Sequence, residues 1–331
     1  MAEIGSVDET ELVRIAHLFY IEELSKIEIG DRLGISRFKV TRALRRAREL
    51  GLVRIELSGP FSALVRMERE LASAFGLQQA ILSSTPQDAD ANNVRRAVAA
   101  SAAAFFAEHI RRGEVIGTTW SRTLASMTDL LPDDPHRGIT VVELMGSSGF
   151  LPKDFSALNV SARLAERLGG RCFYLPIPVI VDSIQVRDVF LSDTAIRRTL
   201  AMFDQLSTAI MGVGPVSDDQ LSYRAGLLTA QDIARMASLG AVCYVCGHFY
   251  NIHGDLVDGG LEDRTIAIGR EQLLKVPRRV LVAGGLAKVP TILGALRAGL
   301  GTVLVTDEAT ARALIAANET GDPSLPGDLR R

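Results

Sequence analysis

Hydrophobic positions along the chain follow two unlike patterns. Between about Asp8 and Leu57 they recur at helical spacing, in a stretch dense in charge and free of proline. Leu12, Ile15, Ala16 and Phe19 form the stripe of a first predicted helix, Glu9–Glu23. Ser25 is placed to cap a short second helix, Lys26–Leu33, with Glu28 completing a capping box and Gly34 supplying a left-handed stop. Ser36 opens a third helix that runs from Arg37 to about Leu50, with Val40, Ala43, Leu44, Ala47 and Leu50 on its buried stripe and Gly51 as its stop. Helix, short turn with glycine, helix is the helix-turn-helix pattern.

From about Leu77 the texture changes to short β-branched runs between alanine- and leucine-rich stretches. The predicted strands are Ala80–Leu82, Val115–Gly117, Thr140–Met145, Ala209–Gly214, Ala241–Val245, Arg279–Ala283 and Thr302–Thr306. Helical patterns fall at Asn92–Arg111, Ser121–Leu130, Phe155–Leu168, Asp193–Gln205, Ala230–Leu239, Lys288–Arg297 and Glu308–Ala317. This alternation predicts an α/β domain with a mostly parallel sheet covered on both faces. Between the regions, Gly59-Pro60 breaks the chain, and Phe61, Leu64, Met67, Leu71 and Phe75 then recur at helical spacing. That segment reads either as a linker helix packed on the larger domain or as a dimer-forming helix. The expected division is a DNA-reading domain at 1–57, a linker helix at 58–76 and a larger domain at 77–331. The tail GDPSLPGDLRR is expected to fray.

Composition narrows the classes. At roughly 150 residues per domain, 331 residues suggest about two domains. Lys plus Arg total 37 against 39 for Asp plus Glu, so nucleic-acid binding has to come from a local cluster. The third helix carries one: Arg37, Lys39, Arg42, Arg45, Arg46 and Arg48 precede its first acid, Glu49. Residues 1–57 as a whole balance ten acids with ten bases, and a run of charge is most simply a solvated face. Here, however, it lies on the helix that the turn directs into a major groove. Ser36, Arg37, Lys39, Thr41 and Arg42 would lie nearest the bases, and Arg45, Arg46 and Arg48 would meet phosphates. The three cysteines suit a reducing compartment, and the acidic N-terminus lacks a signal-peptide pattern. The longest nearly apolar run, Ala97–Ala107, is too short to cross a bilayer. A cytoplasmic protein without a membrane partner is expected.

Several predicted strands end in glycine with small hydroxyl residues: Gly117–Thr123, Gly146–Gly149, Gly214-Pro215 and Gly284–Lys288. Ligands of open parallel sheets bind outside the carboxyl ends of the strands, where exposed N–H groups favour anions. Thr118, Thr119, Ser121, Ser147, Ser148 and Lys288 in these loops together point to a phosphorylated small ligand. Trp120 reads as a pocket wall or as core. His248, His253 and Asp255 lack the helical pairing and third ligand of a metal site, so neither metal nor cofactor is expected. Cys243 and Cys246 read as small buried residues.

These residues resemble the SorC family of bacterial sugar-binding transcriptional regulators over about residues 10–317. The resemblance is carried by IAHLFYIEELSKIEIGDRLGISRFKVTRALRRARELGLV, VIGTTWSRTLA, NVSARLAERLGGRCFYLPIPVIVD, GAVCYVCGHFYNIHG, VLVAGGLAKVPTILGALRAG and LVTDEATARALI. It implies a helix-turn-helix joined to a Rossmann-like effector domain of sugar-phosphate-isomerase type, a phosphorylated sugar effector, and assembly into homodimers or homotetramers. Carried over by position, it implies phosphate-binding turns at Gly117–Ser121 and Gly284–Lys288, with Gly285 in the second. Gly146, Ser147, Ser148 and Asn159 would also line the pocket.

Departures are visible. Phe38 stands where the family often has proline, and Ser121 where it usually has glycine. Tyr244 replaces an acid that can bind sugar hydroxyls, and His248 replaces a frequent arginine. The expected function is a regulator whose hold on operator DNA is set by a sugar or polyol phosphate. A sugar-phosphate isomerase or deaminase with an autoregulatory DNA-binding head is the alternative; it needs an acid and base in the pocket, for which Glu143, Asp182, Asp255, Asp258 and Asp307 are available. A purely architectural DNA-binding protein would leave the hydroxyl-rich loops without a role.

Overall fold

The computed structural model describes residues 8–54, 62–86, 89–147, 160–218 and 220–320. The expectations for Ser58–Phe61, Ser148, the start of the Phe155 helix, Asn159 and the tail lie outside the described residues. Two compact units are present, Met1–Ser62 and Ala63–Arg331.

In the first unit, α1 (Glu9–Tyr20), α2 (Lys26–Leu33) and α3 (Arg37–Glu49) bury Leu12, Ile15, Ile29, Val40, Leu44 and Ala47 together. The Ser25–Glu28 capping box forms in full, and Gly34 sits at φ 67°. Gly30 is required by packing, since a Cβ there would lie 2.6 Å from the carbonyl oxygen of Ile35 in the turn. Two boundaries differ from the sequence reading. α1 stops at Tyr20, and Glu23 beyond it takes a positive φ of 54°, incompatible with a continuing helix. Leu50 falls at the C-cap of α3 and is 41% exposed, so it leaves the buried stripe.

The second unit takes up α4 (Ser62–Phe75) from its second residue, followed by β1 (Gln79–Ser83), α5 (Ala91–His109), β2 (Val115–Thr118), α6 (Arg122–Leu130), β3 (Thr140–Glu143), α7 (Val160–Arg167) and β4 (Arg171–Phe173). Then come α8 (Ile184–Ser192), α9 (Thr194–Leu200), β5 (Thr208–Gly212), β6 (Gly214–Pro215), α10 (Leu221–Arg224), α11 (Ala230–Ser238), β7 (Ala241–Val245) and β8 (His248–Asn251). The chain closes with α12 (Arg270–Leu274), β9 (Arg278–Val282), α13 (Val289–Arg297), β10 (Val303–Asp307) and α14 (Glu308–Thr320). Seven strands form one sheet in the order β1-β10-β9-β5-β2-β3-β4, and every pairing in it is parallel.

Alternation along these strands divides the core. Ile116, Val141, Ile210, Val280 and Val305 face one side, with Val98 and Phe106 of α5, Leu124 of α6 and Leu164 of α7. Val142, Met211, Leu281 and Leu304 face the other, with Leu71 of α4, Leu293 of α13 and Leu314 of α14. Burial on both faces explains the nearly continuous apolar runs of the strands.

The sequence reading placed Ala241–Val245 among the strands of the parallel sheet. In the structure β7 belongs instead to a separate antiparallel sheet, β6-β7-β8, closed at Cys246 and Gly247, both at positive φ. Such a two-residue turn needs a left-handed backbone at both positions. Sequence reasoning missed β4, only three residues long, and α8, whose Phe190 and Leu191 are partly buried on the core while Ile184, Val186 and Val189 are exposed.

α4 belongs to the second unit. Leu71 is fully buried in its core, and Leu64, Met67 and Phe75 pack beside it. The Leu82 N–H on edge strand β1 donates to Glu68 Oε1 at 2.9 Å, so α4 covers a sheet edge that would otherwise present unpaired donors. Leu71→Ala should therefore cost about 2–5 kcal/mol of stability. A fragment starting at Gly59 should melt well above one starting at Leu77, and equal melting temperatures would show that α4 contributes no packing.

Candidate functional site

Two places carry the candidate residues. On α3, the side chains of Arg37, Lys39, Thr41, Arg42, Arg45 and Arg46 are all exposed, as is Ser36 before them. The Ser36 hydroxyl caps the helix by accepting the Lys39 N–H at 3.2 Å, and Thr41 Oγ1 donates to the Arg37 carbonyl. Arg45 and Arg46 share Glu49, at 3.7 and 3.4 Å, and Lys39 Nζ lies 3.7 Å from Glu11 of α1. Exposed pairs of this kind contribute little to stability and exchange readily for other anions. Phe38 is 69% exposed, with the Arg37 guanidinium 4.9 Å from its ring centre.

The second place follows from the strand order. The chain leaves β2 for β3 in one direction, and leaves β5 for β9 in the other, so the topology reverses between β2 and β5. The crevice at the carboxyl ends of such a pair is the usual ligand position. Thr119 N–H donates to the Ile210 carbonyl, and Gly212 N–H donates to Thr119 Oγ1 at 3.2 Å. Gly212 leaves room for Ser121, whose Cβ would sit 2.6 Å from a Cβ on that glycine. Ser121 Oγ in turn caps α6, accepting the Leu124 N–H at 3.0 Å. From the opposite side Lys288 Nζ donates to the Val213 carbonyl at 3.3 Å. Thr119, Ser121 and Lys288 thus converge on the segment Gly212–Gly214, and Thr118 ends the adjacent strand.

Other predicted positions have different surroundings. Gly117 lies inside β2, where a Cβ would strike Leu144 at 2.4 Å; it is a packing glycine and not part of an open turn. Gly284 is held against Asp307, whose Oδ2 would lie 2.5 Å from an added Cβ. Gly285, at φ 101°, donates its N–H to Asp307 Oδ2 at 2.7 Å and to Thr310 Oγ1 at 2.8 Å, so this donor is already engaged. Gly146 N–H donates to Ile266, and Ser147 N–H to Leu175, which engages two donors expected to face a ligand. Tyr244 is buried and takes a hydrogen bond from Ser222 Oγ at 3.2 Å; burial pushes its phenol well above the ordinary range. The nitrogens of His248 face Glu262, at 2.9 Å, and the Ile268 carbonyl, also at 2.9 Å. Tyr244 and His248 therefore satisfy their polar atoms within the protein.

Trp120 packs on the cluster around Tyr244, Met145 and Phe249. Its Nε1, like both amide atoms of the buried Gln220, has no hydrogen-bond partner. Sequence reasoning missed Gln220, a single polar residue in a polar stretch that carried no signal. The Asp307 clamp was legible in principle, since an acid ending a strand and opening a helix fits an N-cap.

Burial pushes the Cys172 thiol up to about 12 and raises Cys243 and Cys246 further, so these are poor nucleophiles. Among the described residues no three His, Cys, Asp or Glu side chains group as metal ligands. A depression lined by Phe106, Ile110, Leu131 and Arg137 lies away from the carboxyl ends of the strands. Arg137 spends its guanidinium there on Asp134, Ala107 and Ile110.

The fold is that of a helix-turn-helix unit followed by a parallel α/β unit. A family model described as "Putative sugar-binding domain" matches residues 59–316. The deoxyribonucleoside regulator of Bacillus subtilis is 30% identical over 305 residues, covering 92% of this chain and 96% of its own. The erythritol catabolism regulatory protein of Brucella abortus is 28% identical over 94% of this chain and 98% of its own. The crystal structure of the full-length sorbitol operon regulator of Klebsiella pneumoniae superposes with a TM-score of 0.72 at 26% identity, covering 94% of this chain and 100% of that one. The chain belongs to the SorC family of sugar-binding transcriptional regulators.

Glu143, at the end of β3, is buried, and its Oε2 accepts the Leu175 N–H at 2.8 Å and lies 3.2 Å from Ser147 Oγ. Burial raises its pKa from the ordinary 4.5 more than these bonds lower it. The ionised form is therefore the costly one in the folded state, and stability is lost as pH rises above that value. Glu143→Gln keeps an acceptor for Leu175. It should melt above the parent at pH 7, with a difference that shrinks towards pH 4. An advantage independent of pH would show that the carboxylate is not strained.

Proposed function

We propose that this regulator reads operator DNA with α3 and binds a phosphorylated sugar or polyol at the β2/β5 switch point. Occupancy of the second site changes hold on the first. The observation that carries the reading is the convergence of Lys288 with Thr119 and Ser121 on Gly212–Gly214. A cation and hydroxyls at the carboxyl ends of parallel strands form an anion-binding arrangement. Binding without turnover is supported by Asp307, which is fully engaged by Gly285 and Thr310 and so is poorly placed to move a proton. The relatives named above are regulators of deoxyribonucleoside, erythritol and sorbitol systems, which supports an effector of the sugar or polyol class. Among the described residues no helix is long and apolar enough to cross a membrane; we place the protein in the cytoplasm, with its operator. It would act there as a homodimer or homotetramer in which a pair of α3 helices matches or misses the half-site spacing, according to effector.

Arg42→Ala should cost about 1–3 kcal/mol in operator affinity and relax base preference at one position. Arg46→Ala should weaken all sequences alike and lower the salt slope by about one unit. Full-strength operator binding by a folded Arg37/Arg42 double alanine variant would remove α3 from the groove. Lys288→Ala should keep operator binding while raising the effector concentration for half response roughly ten- to a hundredfold, about 1.5–3 kcal/mol. Gel-shift titration of parent and variant with a sugar-phosphate panel reads this directly, and coincident curves would dismiss Lys288 as a phosphate ligand.

A further inference from the structure

Gln220 presents an arrangement that the fold alone does not account for. It is 2% exposed, yet neither Nε2 nor Oε1 of its amide has a hydrogen-bond partner. Its backbone is fixed: the N–H donates to the Ser217 carbonyl, and its own carbonyl takes the Arg224 N–H as α10 begins. Although it occupies the N-cap, the side chain makes no capping bond. Buried amides are normally satisfied, because the water they give up must be replaced.

The surroundings connect this amide to the switch point. Two residues on, Ser222 Oγ donates to Tyr244 OH. Tyr244 stands opposite Gly214 in the β6–β7 ladder, and Gly214 adjoins Val213, whose carbonyl holds Lys288. Trp120 follows Thr119 directly and packs on the cluster that contains Tyr244, with its indole N–H also unpartnered. Both orphaned side chains are therefore linked through Tyr244 to the segment on which Thr119, Ser121 and Lys288 converge. One offers a donor and an acceptor together, and the other a donor.

We propose that Gln220 and Trp120 form the hydroxyl-reading end of the effector pocket, opposite the Lys288 end. The ligand class this implies carries neighbouring free hydroxyls on an uncharged carbon chain. A hydroxyl both donates and accepts, which matches the two faces of the Gln220 amide, and a second one can accept from Trp120. A charged group is a poorer match, since burying it among these neutral side chains leaves its charge uncompensated. Discrimination follows: a ligand lacking one of these hydroxyls leaves the amide unsatisfied in the complex as well. This inference rests on the effector reading above and specifies which part of the molecule Gln220 and Trp120 recognise.

The test uses the full chain with Gln220→Met, which keeps the volume and removes the polar atoms, and Trp120→Phe, which keeps a ring without the N–H. The probes are inorganic phosphate, one pentose phosphate with its 2-deoxy analogue, and one hexitol phosphate, followed by calorimetry. In the parent, at least one sugar or polyol phosphate should bind more tightly than inorganic phosphate. Each variant should weaken that ligand about tenfold or more and leave inorganic phosphate unchanged. Ligand-free Gln220→Met should also melt higher than the parent, because the orphaned amide is gone. A merely structural glutamine predicts the opposite sign. If the parent binds a sugar phosphate and both variants bind it equally well, or if Gln220→Met melts lower, the inference is wrong. If the parent binds no sugar or polyol phosphate, the effector reading itself falls.

Discussion

The pairing of β2 with β5 is the contact on which the larger unit depends. Thr118 lies opposite Ile210 and Gly117 opposite Ala209, and on either side of this pair the sheet grows in opposite directions. The crossovers leave this pair in opposite senses, and the carboxyl end of such a pair is where open parallel sheets usually place a ligand. The packing there is set by sterics. Gly212 lacks the Cβ that would exclude Ser121, and Gly117 lacks the one that would exclude Leu144. Small residues here decide how closely β2, β3 and β5 approach, and hence where Thr119 and Ser121 stand.

Around the crevice, polar groups divide into those spent on architecture and those left over. Asp307 draws in Gly285 N–H, Thr310 N–H and Thr310 Oγ1, which fixes the turn after β9 to the start of α14. His248 and Tyr244 fasten the small antiparallel sheet to Glu262, Ile268 and Ser222. These bonds give rigidity to a region made largely of loops, and rigid surroundings are what allow a recognition site to discriminate. Gln220 and Trp120 differ from them, because both hold buried polar atoms without partners. On the proposed reading, the effector would supply the partners that these buried polar atoms lack.

The DNA-reading unit obeys simpler rules. Its three helices bury one small apolar cluster, and its charged residues are exposed wherever the stripe does not need them. Among the described residues, three of the six cations of α3 pair with acids: Lys39 with Glu11, and Arg45 and Arg46 with Glu49. A phosphate backbone can outcompete such exposed, weakly held partners.

The sequence determined by itself whatever depends on neighbours a few positions apart. The caps at Ser25 and Ser36, the stop at Gly34, the buried stripes of the first three helices and most parallel strands were legible because capping, helical period and apolar runs are local. The family was legible for a related reason: its motifs are contiguous segments. Tertiary structure alone decided which groups were still available to a ligand. Gly285, Ser147, Tyr244 and His248 looked like pocket residues in the chain, and each found a partner more than ten positions away. Gln220 looked like one more polar residue in a turn and found none. Hydrogen-bond satisfaction is settled between segments distant in sequence, so no local pattern could have announced it.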